Sequence, residues 1–257
     1  MKFSIITPTY KRKEALTRAV ASLTNQTYKD WEMIIVNDSP TDTTYKDFAS
    51  SINDPRIHYH TNLVNKGVNY SRNLALDKVS ADSTWVIFLD DDDYLAPDTL
   101  KTFADLILLN PSQQWFVTNR AYVHGTPVTE FPLSDTLYGY AWPYLIFKRL
   151  KGDATHCIET KLLIYRKIRF SRYVKQAEEW FFFYQVSLHT KMYYHDHNST
   201  ITDGYDDKSG LNFRKRSLKD GYETLLKLVY EGVEKKIIRP SFVIYILLRI
   251  VRLFLRY

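Results

Sequence analysis

Two acidic groupings in this chain have residue types and spacing that could do chemistry. Asp90, Asp91, Asp92 and Asp93 follow directly on the apolar run Trp85-Val86-Ile87-Phe88-Leu89, and Glu178-Glu179 precedes the aromatic run Trp180 to Tyr184. Four successive carboxylates repel one another, and keeping them ionised together is costly unless a cation is present. Oxygen donors of this kind select hard divalent ions, Mg2+ or Mn2+, which keep waters and bridge to substrate phosphates. The other reading of the run is a solvated turn that caps a helix after Pro97. The glutamate pair offers a general base, or else an exposed acidic cluster at a helix start.

The elements that would position these groups alternate. Phe3 to Thr7, Met33 to Val36, Arg56 to His60 and Trp85 to Leu89 have the pattern of strands, and Trp115 to Thr118 adds another. Between them, Ala15, Leu16, Ala19, Val20 and Leu23 recur at helical spacing, Asn69 to Lys78 predicts a helix after Gly67, and Leu100 to Leu108 predicts one after Pro97. Strands alternating with helices imply an α/β fold with a mostly parallel, Rossmann-like sheet flanked by helices. Ligands of such sheets bind beyond the carboxyl ends of the strands. The residues there are Thr7-Pro8-Thr9-Tyr10, then Asn37-Asp38, then the aspartate run. Asn37-Asp38-Ser39-Pro40 is also a good turn sequence, so Asp38 alone decides nothing.

Bulk composition narrows the function further. The chain has 257 residues, 45% hydrophobic and 25% charged, which excludes disorder. Its net charge of +6 is unevenly placed: residues 1–207 hold 23 basic against 25 acidic residues, whereas 208–257 hold 12 against 4. The basicity is a property of the tail, and no nucleic-acid partner is expected. Glycine is scarce, with eight in all and none before Gly67, so no glycine-rich phosphate cradle opens the chain. Cys157 is alone and cannot form an intramolecular disulfide, and the first residues show no apolar leader, so a reducing, cytoplasmic location is expected. Three regions are anticipated: 1–118 with regular strand–helix alternation, 119–207 with looser, aromatic elements and the glutamate pair, and 208–257 as a basic helical extension that could associate with membrane.

Taken in order, Ser4 to Tyr10, Ser22 to Tyr28, Ile34 to Ser39, Gly67 with Ser71-Arg72-Asn73, and Phe88 to Asp93 with Pro97-Asp98 resemble the family 2 glycosyltransferases of GT-A fold. Gln176 to Trp180 resembles the family's acidic pair, and Tyr193 to His197 with Thr200 and Thr202 its later tyrosine-histidine segment. The resemblance implies that Thr7, Pro8 and Tyr10 pack around a nucleobase and that Asp38 accepts from the base imide, favouring uracil. It places Arg72 at the same nucleobase end, Asp90 and Asp91 by ribose and diphosphate, and Asp92 and His197 at the metal. Glu179 aligns with the catalytic base, although the family carries Asp there, so Glu178 remains an alternative. Trp180 would face the acceptor, and the resemblance makes 1–118 the nucleotide-sugar-binding half and 119–207 the acceptor half with the base.

What is implied is an inverting, metal-dependent hexosyl- or N-acetylhexosaminyltransferase. It would move a sugar from a UDP-sugar to a hydroxyl of a saccharide or lipid-linked saccharide in cell-surface polysaccharide biosynthesis. A sugar-phosphate nucleotidyltransferase, or a non-catalytic basic adaptor on membrane or nucleic acid, are the alternatives. In the tail, Arg249, Arg252 and Arg256 fall at i, i+3 and i+7 among apolar residues, together with Arg214, Lys215 and Arg216 upstream. That pattern predicts a helix over 241–257 lying on the anionic inner face of the cytoplasmic membrane, or a terminal helix packed on the domain or a second subunit.

Overall fold

A computed structural model describes residues 1–176, 178–202 and 217–255. One nine-stranded sheet carries the molecule, in the order β3-β2-β1-β4-β8-β6-β9-β5, with β7 pairing β9. The strands are β1 (Lys2–Thr9), β2 (Trp31–Asn37), β3 (Ile57–Thr61), β4 (Ser83–Phe88), β5 (Asp93–Leu95), β6 (Trp115–Tyr122), β7 (Thr136–Tyr138), β8 (Ala154–Glu159) and β9 (Met192–Thr202). Pairing among β3, β2, β1 and β4 is parallel, as the alternating pattern requires, and β8 then pairs antiparallel with both β4 and β6. The expected regional boundary at 118 falls inside β6, so both halves share one sheet.

Strand side chains alternate faces, and this divides the core into two layers. Phe3, Ile5, Met33, Ile35, Trp85 and Ile87 pack on one face beneath helices α1 (Lys13–Thr24), α2 (Thr44–Ser51) and α4 (Thr99–Leu109). Ile6, Ile34, Val36 and Val86 face the other way, against α3 (Val68–Leu76), α6 (Glu179–Ser187), α7 (Leu218–Glu234) and α8 (Pro240–Phe254). Between β8 and α6 lies the short helix α5 (Thr160–Tyr165). Both faces are covered, which is why these strands are continuously apolar.

The stretch 121–155 contains β7 and a π-helical segment, Ala141–Ile146. Its aromatics do structural work as well as lining loops: Tyr140 is buried and stacks on Tyr144 at 5.0 Å, beside Trp115 and Phe183. In the tail, Ser217 and Asp220 form a reciprocal capping box at the start of α7. Gly221 and Gly232 let α8 side chains press directly on the α7 backbone. The expected basic stripe is not a single exposed face. Arg249 turns inward to an ion pair, Arg252 is exposed, and Arg256 with Arg214, Lys215 and Arg216 lies outside the described residues.

Candidate active site

The order of the sheet reverses between β1 and β4, since β2 and β3 extend one way and β4 the other. That is where an open α/β sheet leaves a crevice beyond its strand ends. The aspartate run spans the turn from β4 to β5 at this point. Asp91 turns toward β1, where Thr9 Oγ1 donates to its Oδ2 at 2.7 Å and the Tyr10 N–H at 3.3 Å. Asp90, Asp92 and Asp93 bring one carboxylate oxygen each within 4.8 Å of one another.

Burial dominates the electrostatics of the run. It pushes the Asp91 carboxyl up to about 7, with the Thr9 hydroxyl working the other way and Asp92 adding to the rise. Burial likewise pushes Asp93 up to about 7 against the pull of Arg120, which bonds it at 2.8 Å. For Asp90 burial also opposes the charge, but Arg72 and Arg120 outweigh it and hold the carboxyl below its ordinary value. Converging hard oxygen donors, with Asp92 and Asp93 raised by burial and by the neighbouring carboxylates, are the donor set of a divalent cation site. The residues therefore fit Mn2+ or Mg2+, with Asp90 and Asp93 joining the expected Asp92. His197 is not in this group: its ring bonds Ser199 Oγ at 2.9 Å and faces Asp98 at 3.3 Å across the start of α4.

Arg72 joins the run to the glutamate pair. Its side chain is 7% exposed, and its two terminal nitrogens reach Asp90 Oδ1 at 2.6 Å and Glu179 Oε1 at 3.0 Å. Phe170 lies under the guanidinium at 5.1 Å. Arg72 was expected at the nucleobase end; it is instead committed to these two carboxylates, because α3 projects it across the crevice from the turn of the helix after Gly67. Glu179 opens α6 and is half-exposed, and no described residue bonds its Oε2.

Glu178 is placed differently. It is 4% exposed at the side chain, with Arg249 of α8 pairing both its oxygens at 2.9 Å and the Trp180 indole donating to Oε2 at 2.6 Å. A carboxylate so enclosed has no path to an acceptor proton. Trp180, expected to face the acceptor, is a core residue whose ring packs on Tyr245 at 4.7 Å. Trp180 lies about 100° further round α6 than Glu179, on the side that α8 covers.

The residues expected around a nucleobase lie at the neighbouring ends of β1 and β2. Thr7 and Pro8 are buried at the end of β1, Tyr10 is exposed beyond them, and Thr7 Oγ1 has no partner among the described residues. Asp38 is buried and already accepts from Asn62 Nδ2 at 2.8 Å and from the Lys66 and Gly67 N–H groups at 2.8 and 2.7 Å. Of about four acceptor positions on a carboxylate, one on Oδ2 is left for a ligand. Gly67 has φ +90, and a Cβ there would meet the Lys175 carbonyl oxygen at 2.4 Å, so only glycine permits this approach of the loop to the segment before α6.

Arg12, Arg120, Asp93 and Arg249 also belong to the site's framework. Arg12 follows Tyr10 in the loop after β1 and pairs with Asp92 Oδ2 and Asp91 Oδ1. Its position just beyond a strand's carboxyl end is the signal that would have found it, whereas Arg120 lies within β6 and carries no such signal. Arg249 has no such signal, lying 71 residues from Glu178.

Comparison with known proteins agrees with this geometry. The sequence profile described as "Glycosyl transferase family 2" matches residues 4–170. The putative colanic acid biosynthesis glycosyl transferase WcaA of Escherichia coli K12 is 38% identical over 101 residues, 39% of this chain and 36% of WcaA. The GalNAc(5)-diNAcBac-PP-undecaprenol beta-1,3-glucosyltransferase of Campylobacter jejuni is 39% identical over 104 residues, 39% of this chain and 33% of that protein. The alignments thus span about a third of the length of these relatives. Among solved structures, residues 1–349 of S. aureus TarS in complex with UDP-GlcNAc superpose with a TM-score of 0.70 and 25% identity, over 91% of this chain and 67% of that one. With a GT-A fold, an acidic run at the switch point and a profile match over more than half its length, the chain belongs to glycosyl transferase family 2.

Proposed function

We propose that this chain is an inverting glycosyltransferase that moves a sugar from a UDP-sugar, with Mn2+ or Mg2+, to a hydroxyl of a saccharide or lipid-linked saccharide in cell-surface polysaccharide assembly. The observation that carries the reading is Arg72 holding Glu179 and the aspartate run at one crevice. In support, the names of relatives include a colanic acid enzyme and an undecaprenol-linked glucosyltransferase, and a structural neighbour was solved with UDP-GlcNAc. Family membership favours this over a nucleotidyltransferase or a non-catalytic adaptor.

In this reading the acceptor oxygen attacks the anomeric carbon, the bond from that carbon to the diphosphate breaks, and the electron pair leaves with UDP. Asp90, Asp92 and Asp93 would hold a divalent ion, which would supply charge to offset that developing on the diphosphate. Glu179 takes the acceptor proton on Oε2, while Arg72 fixes Oε1 and so orients the carboxylate. The left acceptor position of Asp38 Oδ2 suits a base N–H, and the buried Thr7 hydroxyl lies at the same end.

Catalysis would take place at the inner face of the cytoplasmic membrane. Among the described residues no helix is long and apolar enough to cross a membrane. The outward face of α8 nonetheless carries Val243, Leu247, Val251, Phe254 and Leu255, all exposed, with Arg239 and Arg252 also exposed and no acidic residue in the helix.

The test is a UDP-sugar donor screen with Mn2+, followed by Glu179→Gln. General-base loss costs about 10²–10⁴ in rate, so that variant should bind UDP as wild type does and lose transfer to this extent. Transfer at the wild-type rate would remove Glu179 from the role.

A further inference from the structure

We propose that Arg249, on the C-terminal helix α8, is a positioning residue for the catalytic base: by clamping Glu178 it fixes the peptide from which Glu179 projects. The proposal rests on the assignment of Glu179 as base.

Glu178 has φ 66 and ψ 34, the left-handed conformation. Residues with a Cβ hold that conformation only where their surroundings over-determine it. Here the constraint is visible. Both oxygens of Glu178 meet the two terminal nitrogens of Arg249 at 2.9 Å, the two-pronged geometry that fixes orientation as well as distance. The Trp180 indole adds a third bond at 2.6 Å. Glu178 is also the residue that starts α6, its carbonyl accepting the Phe181 N–H at 3.0 Å. Rotation of Glu178 out of the left-handed region would therefore swing the first turn of α6 and carry Glu179 away from Arg72. Arg249 is itself held: Tyr245, one turn earlier on α8, packs on Trp180, and Phe242 packs on both Trp180 and Phe181. The C-terminal helix thus belongs to the catalytic machinery although it lies outside the region matched by the family profile.

The alternative role for such a pair is stability alone, and the two roles separate experimentally. Breaking one half of a buried ion pair strands the other charge, whereas replacing both halves by apolar residues of similar volume is often neutral. Arg249→Met, Arg249→Lys and the double variant Glu178→Met/Arg249→Met are compared with wild type well below their melting temperatures. The readouts are kcat and KM for the UDP-sugar selected by the donor screen, Tm, and amide hydrogen exchange over 178–182.

Positioning predicts that Arg249→Met lowers kcat at least tenfold with KM for the donor within twofold, that Arg249→Lys falls between it and wild type, and that exchange over 178–182 quickens. It also predicts that the double variant recovers Tm and keeps the low kcat. Recovery of kcat together with Tm in the double variant overturns the proposal. So does unchanged exchange in Arg249→Met, a readout that needs no turnover. If Glu179→Gln is fully active, the base assignment fails by itself. The exchange result then still decides whether Arg249 holds the start of α6.

Discussion

Arg72 spends a buried guanidinium on two carboxylates with different proposed tasks, Asp90 in the group that would hold a metal and Glu179 as the base. Arg12 does something different with the same chemistry. It is only partly buried, it reaches Asp92 and Asp91 from the loop after β1, and it neutralises there the charge that a divalent ion would neutralise. Arg12 should therefore compete with the metal. Partly exposed ion pairs are worth about 0.2–1 kcal/mol, so Arg12→Ala is expected to bind Mn2+ up to about fivefold more tightly than wild type without nucleotide. Titration calorimetry with MnCl2 measures this; weaker binding in the variant would mean that Arg12 supports the site.

At the scale of elements, α8 has two faces with different duties. Phe242, Tyr245 and Ile246 are buried, the two aromatics against α6, while Arg249 reaches Glu178. The opposite face is apolar and exposed, rimmed by cations, a combination that binds anionic bilayers through buried apolar area plus electrostatics. Removing α8 would disturb both faces, so the membrane question needs substitutions confined to the outer one. Leu247→Glu/Val251→Glu should leave folding and UDP binding intact and move the protein from the pellet to the supernatant in sedimentation with phosphatidylglycerol-containing liposomes. Equal partition of variant and wild type would show that this face meets something other than lipid.

For the whole molecule, the aspartate run couples stability to pH. Burial raises Asp91 and Asp93 to about 7, against about 3.9 for an aspartate in an unfolded chain. Between about pH 4 and pH 7 the native state consequently binds more protons than the unfolded state. Stability supplied by these groups falls as pH rises through that window. A divalent ion binds only ionised carboxylates, so one held by Asp90, Asp92 and Asp93 would displace the Asp93 proton. Mn2+ should raise Tm more at pH 7.5 than at pH 5.5, a comparison that scanning calorimetry makes directly. An equal gain at both values would place the bound ion away from Asp93.

The sequence by itself determined the parallel half of the sheet, the edge at which the site lies and the two acidic groupings. The reason is local: strand and helix periods are written residue by residue, and carboxyl ends of buried strands are where such sheets bind ligands. It also narrowed the base to two adjacent glutamates and could go no further, because neighbours in sequence differ only in which way the chain turns. The tertiary structure separates their environments, which is what the proposal of Glu179 as base rests on. The left-handed backbone at Glu178 sends that side chain to Arg249 and leaves Glu179 open in the crevice. The same holds for Trp180, Arg72 and His197, whose neighbours come from other elements, and for the arginine stripe of α8. Helical spacing there predicts one face, but a charge that finds a buried partner 71 residues away turns inward. Such pairings depend on how helices pack across the sheet, which no local pattern encodes.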